Sequence, residues 1–153
     1  MSLPKTAVHE FIRKRGFGVL STVSPSGAPE AALVNLAVTP ELELIFHALR
    51  TTRKCANLEG ETRVAVVIGW DGEETLQYEG VAAEVEEHEL DEVKKFYFEA
   101  CPDATGQSGW PGLIYFRIRP TWIRFSRYSL PWQIEEMNFP PRDKIDAKRS
   151  RRR

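Results

Sequence analysis

Arg63-Val64-Ala65-Val66-Val67-Ile68-Gly69-Trp70-Asp71-Gly72 and the following Thr75-Leu76-Gln77-Tyr78-Glu79-Gly80-Val81-Ala82-Ala83 decide the fold. The first run is an unbroken apolar strand, rich in Val and suited to the middle of a sheet. Asp71-Gly72 is a hairpin turn, because both residue types tolerate positive φ. The second run alternates Leu76, Tyr78, Gly80 and Ala82 against Gln77, Glu79, Val81 and Ala83. It predicts a long strand over 75–87.

On the N-terminal side, Val8, Phe11 and Ile12 share one helical face, which predicts a helix over 6–15 ended by Gly16. Phe17 to Val23 is a strand. Ser24-Pro25-Ser26-Gly27-Ala28-Pro29 is dense in turn formers, and Glu30 to Thr39 is the return strand. Pro40-Glu41 turns the chain into a third strand, Leu42 to His47. On the C-terminal side, Leu90, Val93, Phe96 and Tyr97 share the apolar face of a helix over 90–101. A loop, 102–112, leads to strands over 113–118 and 122–128, separated by Arg119-Pro120. Short antiparallel strands at close spacing with few helices predict a closed β-barrel.

The chain has 153 residues, 42% of them apolar, enough for one domain with its own core. Cys55 and Cys101 match no metal-ligand or redox spacing, and His9, His47 and His88 show no zinc motif, so no metal site is expected. No signal core or membrane-length apolar run occurs, which predicts a cytoplasmic protein. Residues 142–153 carry seven basic and two acidic residues, net +5, against −6 for the rest. This sets a C-terminal extension, 131–153 with its basic tail, apart from a domain over 1–130. A basic tail suits an acidic partner, but the acidic body argues against nucleic acid.

The segment with chemical content is Phe46-His47-Ala48-Leu49-Arg50-Thr51-Thr52-Arg53-Lys54, then Asn57-Leu58. Hydroxyl residues open a short helix that stops at Gly60, and two cations sit in its first turn. The positive end of the helix dipole disfavours cations there unless an anion binds. Amides, hydroxyls, a guanidinium and an ammonium together suit a phosphate dianion. The same residues would serve any phosphate, and a solvated helix start would also tolerate them. His47 reads either as a general acid or as a polar residue at a strand end.

The order of these motifs resembles the pyridoxamine 5′-phosphate oxidase-like family of FMN-binding split barrels. The match runs from Val8 to Tyr128. It rests on Gly18-Val19-Leu20-Ser21-Thr22 with Gly27 and Pro29, on Phe46, Thr52-Arg53-Lys54 and Asn57-Leu58, and on Arg63-Val64-Ala65-Val66 and Glu79-Gly80. The resemblance implies a mainly β fold: an antiparallel split β-barrel of six to seven strands with two or three peripheral helices. It implies a homodimer with FMN at the subunit interface. Carried over by position, Thr52, Arg53 and Lys54 bind the FMN phosphate. Ala32, Leu33, Val34 and Asn35 run along the isoalloxazine ring. His47 and Ala48 lie near the ring or ribityl chain, and Thr75 or Gln77 reaches the flavin. The implied activity is a flavin-dependent oxidoreductase. Flavin storage, or a deazaflavin or haem on the same fold, are the alternatives. Where the vitamin oxidases place a phosphate-binding Arg and a substrate-binding Lys, this chain has Ala32 and Ala37. Arg124 to Tyr128 and Trp132 to Glu135 replace their C-terminal substrate anchor. Pyridoxamine phosphate is therefore not the expected substrate, and no catalytic residue is assigned.

Overall fold

A computed structural model describes residues 3–141. The basic tail beyond Pro141 lies outside them. Helix α1, Lys5–Arg15, buries Val8, Phe11 and Ile12 and stops where Gly16 turns to φ 71°. Strands β1 (Phe17–Val23) and β2 (Pro29–Asn35) form a hairpin. The chain then bends at Leu36 into a two-residue strand β3, Ala37–Val38, followed by β4, Leu44–Leu49. Helix α2 (Arg53–Gly60) leads to β5 (Arg63–Ile68), β6 (Glu74–Glu84), helix α3 (Leu90–Ala100), β7 (Leu113–Arg127) and β8 (Gln133–Asn138). Every pairing is antiparallel. The sheet order is β2-β1-β5-β6-β7-β4-β3, with β8 beside β7. Since β2 and β3 are joined through Leu36 yet lie at opposite ends of this order, the sheet must curl back on itself. The result is the expected antiparallel split barrel.

The central hairpin pairs as read, with β5 between β1 and β6, but β5 stops at Ile68 and β6 at Glu84, three residues short of its expected end. Alternate residues Val64, Val66 and Ile68 enter the barrel, and Ala65 and Val67 face outward. β4 differs from its expected span. It starts two residues later and is buried on both faces. Leu44, Phe46 and Ala48 fill the barrel. Ile45 packs with Val93 and Tyr97 of α3 in a second core, so the alternation of buried and exposed positions is lost.

Two expected strands are one. β7 runs through Pro120, where the pairing with β6 shifts: Glu79 opposes Trp122, and Gly80 opposes Pro120. This bulge leaves Thr121 as the extra residue and accommodates a proline within a paired strand. A side chain at Gly80 would place its Cβ 2.4 Å from the Arg119 carbonyl oxygen, so the bulge requires glycine there. β8 was not expected. It lies in the segment set apart as a C-terminal extension and pairs with β7 from Trp122 to Arg127. Tyr78 ties the barrel together: its buried hydroxyl donates to the Leu42 carbonyl at 2.7 Å, with the Ile118 carbonyl at 3.1 Å. No described helix is long and apolar enough to cross a membrane.

Candidate functional site

Helix α2 starts at Thr52, whose backbone is extended at φ −76°, ψ 154°. The Thr52 hydroxyl does not cap the helix but donates to the Leu49 carbonyl at 2.8 Å. The first turn therefore has no side-chain acceptor for its amides, and it holds no acidic residue. Arg53 and Lys54 stand there instead. These residues line an open concavity of about 610 Å³, whose other walls are Leu20 and Thr22 of β1, Glu30, Ala31 and Ala32 of β2, and Thr51. Arg50 is turned away and pairs with Glu84 at 2.8 Å.

One member of this site, Glu30, is not singled out by the sequence alone. Glu30 lies across from Thr22 in the β1–β2 ladder, and its carboxylate accepts a hydrogen bond from the Arg53 guanidinium. Its other oxygen accepts from the Asn57 amide at 2.8 Å. Asn57 is buried and also donates to the Thr22 hydroxyl at 3.0 Å. Glu30 and Ala32 are two residues apart on one strand, hence on one face. A period-two reading back from Ala32 would have found Glu30.

The expected site residues fall into three groups. Ala32, Thr52, Arg53 and Lys54 meet at the concavity. Leu33 and Asn35 point to the opposite, outward face of β2, whereas Val34 enters the core. Along the outward face the register runs Leu33–Val19–Val67–Gln77, with Thr75 two residues from Gln77. His47 and Ala48 lie elsewhere. Ala48 is in the barrel core. His47 is under α3, against Tyr97 and Tyr115, with Nε2 2.9 Å from the Gln107 amide oxygen. Burial lowers its pKa, and the Gln107 bond offsets this in part. Burial also pushes the Cys101 thiol up to about 11, so it is not a ready thiolate. Among the described residues no cluster of His, Cys, Asp and Glu could hold a metal ion.

Comparison with known proteins decides the family. The pyridoxamine 5′-phosphate oxidase family model matches residues 4–127. The chain belongs to this family. It is 31% identical over 93 residues to the pyridoxine/pyridoxamine 5′-phosphate oxidase of Rubrobacter xylanophilus, covering 60% of this chain and 41% of that protein. In structure it is similar to a heme binding protein from Mycobacterium smegmatis, with a TM-score of 0.75 and 16% identity over 90% of this chain and 59% of that one. It is also similar to General Stress Protein 26 from Bacillus anthracis, with a TM-score of 0.69 and 22% identity over 88% of this chain and 98% of that one. The chain thus spans well under half of the Rubrobacter relative's length, and the structural likenesses establish the split-barrel fold alone.

The α2 concavity fits a phosphate-bearing group: it offers unclaimed amides, the Thr51 hydroxyl and two cations at one helix start, with the Thr52 hydroxyl engaged by the Leu49 carbonyl. Glu30 is the one member that runs against an anion.

Proposed function

We propose that this family member binds FMN as a cytoplasmic, homodimeric, flavin-dependent oxidoreductase whose substrate is not pyridoxamine phosphate. The observation that supports this most is the start of α2, where Thr52, Arg53 and Lys54 open onto the concavity beside Ala31 and Ala32. Those three residues would hold the phosphate, and the backbone over 32–35 would run along the ring. When bound, FMN supplies hydride or electron transfer; the protein binds, orients and shields it.

The outward face of the sheet supports pairing with a second copy. Leu33 is 63% exposed and Val67 40%, and Phe17 and Trp70 are exposed nearby with their rings 5.4 Å apart. Apolar residues grouped in this way mark an interaction surface. Leu33, Thr75 and Gln77 share this face, so a partner seated on it would add walls to a flavin site at the interface.

The name of the Mycobacterium smegmatis protein suggests haem as a second reading. It has less support, because none of the three histidines lines the concavity, and His47 is buried and hydrogen-bonded. The test is the visible spectrum of the purified protein. Flavin bands, with flavin released on heating, support the proposal, and oxidation of NADH or NADPH then separates an enzyme from a storage protein. A Soret band would replace flavin by haem. A colourless protein that ignores added FMN overturns the reading.

A further inference from the structure

We propose that Glu30 is a built-in counter-anion of the α2 site, which competes with an incoming phosphate for Arg53 and so sets how tightly the site holds it. This deepens the reading of the concavity as a phosphate site and rests on it.

The ion pair is asymmetric. The Arg53 side chain is 84% exposed and the Glu30 side chain 22%. The carboxylate is the fixed partner, because Asn57, only 4% exposed, grips it from below and is itself tied to Thr22. The guanidinium, on a long flexible stem, is the partner able to move. A phosphate entering the concavity meets a carboxylate that cannot easily withdraw and a guanidinium already engaged. Like charges a few ångströms apart repel, more strongly where protein walls exclude water. No second cation offsets this from β2, since Ala32, the next residue on the same face, is neutral. Lys54 forms no ion pair among the described residues and is left as the cation available to a ligand. The site has already accepted an anion, and that anion belongs to the chain.

The protein, stripped of any bound flavin, is titrated with FMN by fluorescence quenching and with inorganic phosphate by thermal shift. Wild type is compared with Glu30→Gln, which keeps an acceptor for Asn57 but removes the charge. Glu30→Ser makes the same comparison if the glutamine is poorly accommodated, and far-UV circular dichroism confirms folding. We expect both ligands to bind the variants about tenfold more tightly or better. A merely structural role for Glu30 would weaken binding. If wild type binds FMN and the variants bind it equally or more weakly, the counter-anion role fails and the flavin reading stands. If no protein binds FMN but the variants bind phosphate more tightly, the counter-anion role stands and the flavin reading fails. If neither ligand binds any of the proteins, both fail.

Discussion

Helices α2 and α3 begin in opposite ways. α3 carries Asp91 and Glu92 in its first turn, the arrangement that a helix dipole favours. α2 carries Arg53 and Lys54 and no acid. α3 satisfies its own electrostatics and settles by burying Val93 and Tyr97 on the outer face of β4. α2 leaves its start unsatisfied, and a carboxylate arrives from a strand 23 residues earlier. A helix that only packs neutralises its own end. One whose end is left for another group to neutralise has that end available for a ligand.

The largest expected effect comes from removing the inversion. Arg53→Ala with Lys54→Ala should weaken FMN binding more than tenfold, since charge-assisted hydrogen bonds contribute about 1.5–3 kcal/mol each. Unchanged affinity in a fluorescence titration would mean that α2's unusual start has no ligand. Next comes the strut beneath it. Asn57→Ala strands a buried hydroxyl and a carboxylate oxygen, and should destabilise the protein by about 1–3 kcal/mol in urea unfolding. A loss below about 0.5 kcal/mol would show that the Thr22–Asn57–Glu30 network is dispensable.

The region under α3 should answer to pH rather than to phosphate. Burial holds the His47 pKa below the ordinary 6.5. The unfolded chain therefore binds a proton before the folded one does. Stability is full above pH 6.5 and falls as the pH drops below it. His47→Gln should flatten that part of the stability profile, and an unchanged slope would place the sensitivity elsewhere. The smallest effect belongs to α3's own start. Asp91→Asn with Glu92→Gln should lower stability by about 0.3–1 kcal/mol and leave FMN affinity as it was. A change in affinity would break the contrast between the two helices.

Much of the architecture was legible because it is written locally. α1, β1, β5 and β6 follow from apolar periodicity and from the Gly16 and Asp71-Gly72 signals. The start of β4 is hard to place because burial on both faces leaves no alternation to read. The Pro120 signal divides β7 in the sequence because a proline usually ends a strand, and only the β6 partner reveals the bulge. β8 is not legible because Glu135 and Glu136 sit in a half-exposed strand with a weak apolar pattern. The site divides in the same way. Thr52, Arg53 and Lys54 are adjacent in sequence, and their oddity shows at once. Glu30 joins them only through the β1–β2 register and the packing of Asn57, which no short window contains.

The bend at Leu36 has a consequence for how the chain tolerates added length. β2 and β3 are the two rims of the curled sheet, and one buried residue, bonded through its amide to the Gly16 carbonyl at 2.9 Å, connects them. An extra residue there would push both rims out of register at once. The exposed turn over 25–28 belongs to a single hairpin, and its backbone bonds, Ser24 amide to Ala28 carbonyl and Gly27 amide to Ser24 carbonyl, stay within it, so an insertion there disturbs that turn alone. A reporter tag or grafted loop belongs at that turn, and the Leu36 bend is the place to leave untouched.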